Sequence, residues 1–261
     1  MIKIFKYFCL LLILIILTSF LTFKITHKPA TIDLPKTKSL VETIDNANYY
    51  VNGDKSIYVV ISSKHLKFLY SGFNPSPLNQ TCEDNRLTIC MNASYFIGPS
   101  TNAKPAGLLI IDGKHYSQLA HDKQLTHIVS YSLIKNKLEF TLTNDFKLEQ
   151  SNSNFIFQTG PQLIEKGSIK SDLIEESLNG NGKYLRSALG YTSNDKIFLA
   201  ISRYDLTLID FSKRLIELPI FQNISIDAVN LDGGSSTSMF SKINSEFNFK
   251  AAKILPLVIG I

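Results

Sequence analysis

Ala228-Val229-Asn230-Leu231-Asp232-Gly233-Gly234-Ser235-Ser236-Thr237-Ser238-Met239 is the stretch on which the reading of this chain turns. An apolar run ends in one carboxylate, followed by two glycines and four small hydroxyl residues. Ile226 to Leu231 reads as a short buried strand that leaves Asp232 at its end. The glycines permit dihedrals and a close backbone approach that a side chain forbids. Backbone N–H groups and the hydroxyls of Ser235, Ser236 and Thr237 can then converge on an oxygen-rich ligand, with Asp232 supplying charge. Taken alone, an Asp-Gly-Gly run is more often a plain turn between two strands, so its meaning depends on the rest of the chain.

Outward from this block the sequence is mostly short β-branched or aromatic segments bounded by Gly, Asn, Asp or Ser. Residues 56–62, 66–70, 107–111, 127–134, 138–142, 154–159, 188–191, 196–202 and 228–231 are expected strands. Thr207 to Glu217 is the expected helix, with Asp205 as its cap and Leu208, Phe211, Leu215 and Leu218 on one face. Asp112-Gly113 and Asn194-Asp195 read as hairpin turns. The fold class this predicts is α+β, a single domain rich in antiparallel strands with a few packed helices. Internal repeats and low-complexity tracts are absent from the sequence.

The chain has 261 residues and a formal net charge of +5. Lys3, Lys6, Lys24 and Lys28 precede the first acid, Asp33, so the remainder is close to neutral. With no Lys/Arg-rich patch interleaved with aromatics beyond that point, nucleic-acid binding is unsupported. Tyr7 to Phe23 is an unbroken stretch of apolar and small residues flanked by lysines. It is at the short end of what spans a hydrocarbon core of about 30 Å, longer than a usual signal-peptide apolar region, and lacks an Ala-x-Ala cleavage site. Residues 1–28 are therefore read as a membrane anchor, or a signal segment if cleaved. Residues 29–48, with Pro29 and Pro35, are expected to be a spacer, and 49–261 the domain, placed outside the cytoplasm with its membrane contact through residues 7–23. Cys82 and Cys90 are the only cysteines beyond the anchor, and an oxidising compartment permits a disulfide closing the loop Glu83 to Ile89. Two cysteines without nearby ligand-spaced His do not make a metal site.

Several further blocks stand in order along the chain. They are Met91-Asn92-Ala93-Ser94-Tyr95-Phe96, Pro105-Ala106-Gly107-Leu108-Leu109-Ile110 with Asp112-Gly113, Phe157-Gln158-Thr159-Gly160-Pro161-Gln162-Leu163 with Gly167, Arg186-Ser187-Ala188-Leu189-Gly190, and Lys253-Ile254-Leu255-Pro256. Together with the Asp232 block they resemble the phosphodiester glycosidases, a family that includes the lysosomal enzyme uncovering mannose 6-phosphate by removing N-acetylglucosamine. The resemblance runs from about Tyr58 to Ile261. Ala93 and Ser94 stand where many relatives carry glycines, which implies a different sugar fit near Asn92. The short intervals between blocks imply a minimal domain.

The resemblance implies cleavage of a sugar 1-phosphodiester, whose leaving group departs as a weakly basic anion. Such an enzyme must hold phosphate, stabilise positive charge at the anomeric carbon, and supply a nucleophile or an activated water. Arg186 is the expected phosphate contact, since guanidinium binds phosphate through two parallel hydrogen bonds. Asp232 is the expected carboxylate for charge stabilisation or base work. Asn92, Gln158 and Ser235 are expected to hydrogen-bond substrate, while Gly107, Gly160, Gly233 and Gly234 shape the backbone around it. Glu165, Asp205 and Asp227 are open as second carboxylates, and His65, His115, His121 and His127 as proton donors. No cofactor is required, and a divalent cation beside Asp232 is left open because no ligand cluster demands one. Two functions remain: an anchored extracytoplasmic hydrolase acting on an envelope glycan or glycolipid, or a non-catalytic module that binds phosphorylated glycans through the same pocket.

Overall fold

The computed structural model of the chain describes residues 40–44, 47–72, 75–99, 102–171, 173, 181–250 and 254–261. The expected anchor, and the spacer up to residue 39, lie outside the described residues. Among the described residues no helix is long and apolar enough to cross a membrane.

An eight-stranded antiparallel sheet occupies the centre. Numbering strands along the chain, its order is β1 (Leu40–Ile44), β2 (Ala47–Val51), β3 (Ile57–Ser62), β16 (Ile197–Ser202), β15 (Ser187–Thr192), β17 (Ile226–Asn230), β13 (Gln162–Glu165) and β14 (Ser168–Ile169). A five-stranded sheet runs β11 (Lys137–Leu142), β10 (His127–Ser132), β12 (Phe155–Thr159), β8 (Leu109–Ile111), β9 (Lys114–Ser117). A four-stranded sheet runs β18 (Met239–Ser241), β5 (Ile89–Asn92), β19 (Leu257–Gly260), β4 (Lys67–Tyr70), and β6 (Phe96–Ile97) pairs with β7 (Lys104–Pro105). Two α-helices of the described residues, α1 (Leu78–Asp84) and α2 (Leu208–Ile216), complete the α+β domain. Every segment expected as a strand is present within a residue or two at most of its ends. The sheet already begins at Leu40, inside the stretch 29–48 expected as a spacer.

The central sheet is buried on both faces, which explains why its strands read as continuous apolar runs rather than alternating ones. Along β3, Tyr58 and Val60 enter one core while Ile57, Val59 and Ile61 enter another. The first core is shared with Phe68, Met91, Val129 and Phe157 of the other two sheets. The second lies under α2, where Leu208, Phe211, Leu215 and the following Leu218 are buried as their spacing predicts. The expected cap moves, however: Thr207, not Asp205, caps α2, its Oγ1 accepting from Asp210 N at 3.0 Å. Thr207 is the last extended residue before the helix, so its hydroxyl reaches the first-turn N–H groups.

The two hairpins form where expected. Asp112 and Gly113 both take positive φ, 47° and 76°, the pattern of a two-residue turn matched to strand twist, and they join β8 to β9. Asp195, φ 60°, turns β15 into β16. Cys82 and Cys90 are paired as a disulfide across a Cα–Cα distance of 5.8 Å, tying α1 to β5 over a small core with Leu87, Leu255 and Val258.

Gly190 lies mid-strand in β15 with the Phe198 ring and the Asp227 carbonyl occupying the place of a side chain. Gly190→Ala should lower stability by about 1–3 kcal/mol through overpacking, read as a lower urea midpoint at unchanged slope. At the far end of β15, burial, then the charges of Asp227, Glu139 and Glu165, push the Tyr191 hydroxyl up to about 12. The folded state therefore keeps a proton that the unfolded chain gives up near pH 10. This contribution is intact below about pH 10 and is lost as pH rises through about 12. Tyr191→Phe should flatten the fall of Tm between pH 10 and 12.

Candidate functional site

Two chain crossings and one strand end meet where the three larger sheets join. β12 leaves the five-stranded sheet at Thr159, passes the cis Gly160–Pro161 bond and enters the central sheet as β13. β17 leaves the central sheet at Asn230, runs through Asp232 and a 3₁₀ turn at Gly234–Ser236, and enters the four-stranded sheet as β18. β5 ends at Asn92 and continues through Ala93-Ser94-Tyr95.

Asn92, 1% exposed, grips the Asp232 loop at both ends. Its Nδ2 donates to the Asp232 carbonyl at 2.6 Å and to Ser187 Oγ at 2.9 Å, and its Oδ1 accepts from Ser238 N at 3.1 Å. Ser187 Oγ donates to the same Asp232 carbonyl at 2.7 Å, and Asp232 N to the Ala93 carbonyl at 3.1 Å. The glycines let the loop lie against the start of β15. A Cβ at Gly233 would stand 2.7 Å from the Leu185 carbonyl oxygen. Gly234, in the left-handed region at φ 58°, donates its N–H to that oxygen at 2.8 Å. Of the hydroxyls expected to converge on a ligand, only that of Ser235 belongs to an exposed residue; Ser236 and Thr237 are buried.

Arg186 follows Leu185 and is 4% exposed. Nε donates to the Leu206 carbonyl at 2.8 Å and Nη2 to the Gly182 carbonyl at 2.5 Å, and the guanidinium lies 5.2 Å from the Tyr184 ring centre. Burial lowers its pKa, and Tyr95, Tyr184 and Asp205 oppose that shift. Tyr95 lies in the Met91–Phe96 segment, and the sequence assigns it no role. Its hydroxyl donates to the Gly160 carbonyl at 3.0 Å and accepts from Asn230 Nδ2 at 2.7 Å. Burial, then the Asp232 charge, raises the hydroxyl above its ordinary range, while Arg186 pulls it down. Tyr95, Asp232 and Arg186 thus share one electrostatic neighbourhood. Nothing in the sequence marks Tyr95 beyond its place three residues after Asn92.

Gln158 and Gly107 lie one layer behind. The Gln158 amide accepts from Leu108 N and Ala120 N at 3.1 and 2.9 Å and donates to the Ala120 and Leu125 carbonyls at 2.7 and 2.8 Å. Those four bonds are with backbone, so the side chain ties β8, β12 and the 120–125 loop together. Gly107 makes room for it, since a Cβ there would come within 2.5 Å of Gln158 Oε1. Ser94 Oγ donates to the Gln158 carbonyl, linking this layer to the Asn92 segment. Gly160, at φ 142°, packs on Thr126 and Gln124 where a Cβ would collide.

The carboxylates open as second acids separate in space. Asp227 accepts from Gln162 Nε2 and Lys166 N at 3.3 and 3.2 Å, and Glu165 pairs with Lys170 at 3.3 Å. Asp227 is five residues before Asp232 along an extended chain, roughly 16 Å at the usual strand rise. Asp205 acts on Arg186, whereas Asp122 acts on Tyr95 from the loop packed on Gly160. Of the histidines, His127 is buried with Nδ1 2.8 Å from Thr126 Oγ1, and His65 Nδ1 is 3.3 Å from the Tyr131 hydroxyl. Among the described residues no three or more His, Cys, Asp or Glu assemble to hold a metal ion. A groove of about 440 Å³ lined by Lys137, Glu139, Phe140 and Tyr191 lies at the opposite end of β15 from Arg186.

The phosphodiester glycosidase family model matches residues 85–261, a range that contains Asn92, Gln158, Arg186 and Asp232. No curated protein matches the chain. Among solved structures, the Zebrafish N-acetylglucosamine-1-phosphodiester alpha-N-acetylglucosaminidase catalytic domain, auto-inhibited by its pro-peptide, is similar with a TM-score of 0.57 at 15% identity, over 88% of this chain and 84% of that one. A hypothetical protein from Synechocystis is similar with a TM-score of 0.56 at 13% identity, over 85% of this chain; the match spans 61% of that protein's length. At these identities the likeness to solved structures is one of fold. The family match takes in well over half the chain and the whole of the seam around Asp232, and on that ground the chain belongs to the phosphodiester glycosidase family.

Proposed function

We propose that the protein is an extracytoplasmic hydrolase that cleaves the bond between a sugar anomeric carbon and a phosphodiester, on an envelope glycan or glycolipid. The observation that carries this reading is the antiparallel pairing of β15 with β17, which sets Ala188 opposite Asn230 and continues through Leu231 N donating to the Ser187 carbonyl and Gly234 N to the Leu185 carbonyl, so that Arg186 and Asp232 stand on facing chain segments inside the range matched to the family. The Cys82–Cys90 pair and the apolar Tyr7–Phe23 stretch support a location outside the cytoplasm.

The chemistry follows from the linkage. A phosphodiester leaves as a weakly basic anion, so little protonation of the leaving group is needed. Arg186 receives the phosphate. Its guanidinium is oriented by the Leu206 and Gly182 carbonyls, and in a desolvated setting its attraction for an anion is stronger than in water. Asp232 presents a carboxylate to the anomeric carbon, where it stabilises developing positive charge or takes a proton from attacking water. Gly233 and Gly234 bring the loop close to Arg186, and exposed Ser235 offers a hydroxyl to the sugar. Asn92 and Gln158 act on the site through the segments they hold. Water attacks carbon, and the electron pair of the broken carbon–oxygen bond leaves with phosphate.

Asp232→Asn should cut kcat about a thousandfold with Tm nearly unchanged. N-acetylglucosamine 1-phosphate methyl ester is the first substrate to assay, using full-length protein in detergent. Turnover in oxygen-18 water should place label in the sugar; label in phosphate would sink the glycosidase reading. Binding of the ester without turnover by the unaltered protein would favour the phosphoglycan-binding module instead. Arg186→Lys should raise KM about tenfold or more, because an ammonium cannot reproduce the planar pair of donors.

A further inference from the structure

We infer that Asp122 is the general base of the reaction: its carboxylate takes the proton from the water that attacks the anomeric carbon on the side away from the phosphate, so that the configuration at that carbon is inverted. This rests on the reading of Arg186 as the phosphate contact and of Asp232 as the carboxylate at the anomeric carbon. The order of segments across the seam sets the sides. In the central sheet β17 is flanked by β15 and β13. Arg186 belongs to the β15 flank, where the next residue, Ser187, accepts at its carbonyl from Leu231 N at 2.9 Å. On the other flank Asn230 N donates to the Pro161 carbonyl at 2.9 Å, and Asn230 Nδ2 to the Gly160 carbonyl at 3.2 Å. The 120–126 segment packs beyond Gly160, with Thr126 N and the Gln124 carbonyl oxygen 3.0 and 3.2 Å from where a Cβ would stand. Arg186, the end of β17, Gly160 and the Asp122 loop therefore follow one another across the seam, at roughly 5 Å per step between paired strands.

The loop holds Asp122 in place. Gln158 fixes it at both ends, accepting from Ala120 N at 2.9 Å and donating to the Leu125 carbonyl at 2.8 Å. Leu125 N closes the turn on the Asp122 carbonyl at 3.1 Å. Asp122 Oδ1 accepts from Gln124 N at 2.7 Å, which leaves Oδ2 without a hydrogen bond among the described residues. The residue is exposed, so water reaches it, and a proton it accepts passes on to solvent. Its charge is felt at the Tyr95 hydroxyl together with that of Asp232, and that hydroxyl is bonded to Asn230 on one side and Gly160 on the other. Two carboxylates with room between them for a sugar and one water is the arrangement of inverting glycoside hydrolysis. A phosphodiester needs little protonation to leave, so the second carboxylate is free to act on water. The water oxygen forms the new bond to carbon and its proton goes to Asp122. The electron pair of the broken carbon–oxygen bond departs with phosphate at Arg186, and Asp232 stabilises the positive charge between them.

The test uses full-length protein and the α-anomer of N-acetylglucosamine 1-phosphate methyl ester. Proton NMR of the first turnovers should show the β-anomer of the free sugar ahead of mutarotation; the α-anomer would overturn the inference. Asp122→Asn keeps the oxygen that Gln124 N needs, so Tm and KM should hold while kcat falls about a hundredfold or more. Asp122→Ala should fall at least as far, and added azide, which needs no base, should restore turnover with the β-glycosyl azide as product. An unchanged kcat in Asp122→Asn would mean that the carboxylate only caps its loop. Rescue by azide in Asp232→Ala and not in Asp122→Ala would make Asp232 the base, and either result overturns the inference. If the unaltered protein releases no sugar, the phosphodiester glycosidase reading fails before any Asp122 variant is made, and the role of Asp122 falls with it.

Discussion

The amide of Asn92 joins parts of the molecule that are otherwise unrelated in topology. It stands at the end of β5 in the four-stranded sheet and bonds Ser187 in the central sheet and both ends of the loop that passes between the two. In a site buried from water, each such bond left unmade costs about 1–3 kcal/mol, and the bonds polarise one another. The loop therefore has one arrangement, and Asp232 one position. Without this grip the Asp-Gly-Gly-Ser run would be the plain turn that its sequence equally allows.

A second buried amide, that of Gln158, does the same work one layer behind the seam. It ties three segments through their backbone, and Gly107 exists where it does because the amide needs the space. Between the two amides the chain sets Tyr95 and Asn230, bonded to each other and to the Gly160 carbonyl. This polar network is fixed by the apolar cores on either side of the central sheet, which leave the strands no freedom to slide. A one-residue slip would send Tyr58, Val60, Leu199 and Ile201 to the wrong face. Packing thus fixes the register, and the register places Arg186 next to Asp232.

Legibility in the sequence followed local chemistry. The strands rich in Val, Ile and aromatics, such as Ile57–Ser62 and Ile197–Ser202, announced themselves, as did the helix carrying Leu208, Phe211 and Leu215. β5, with the sequence Ile-Cys-Met-Asn, has little β-branched character, and α1 buries Cys82 alone among its residues, so neither has a periodic signature. Asp232 and Arg186 stood out because a carboxylate beside glycines and a lone guanidinium are chemically conspicuous. Ser187, Asn230 and Tyr95 are ordinary polar residues whose significance comes from what lies across from them. The acids showed the reverse: Asp227 looked available in the sequence, yet it lies on the far reach of its strand against Lys166 and Gln162.

The sequence by itself determined the kinds of element, the chemistry at the end of the Ile226–Asn230 strand and the family, because propensity, periodicity and motif order are properties of neighbours along the chain. Only the tertiary structure decided that Gln158 spends its amide on backbone, that Tyr95 sits in the field of Asp232 and Arg186, and that the Asp122 loop stands across Gly160 from the end of β17. Those facts depend on residues far apart in the chain being brought within a few ångströms, which no local pattern encodes.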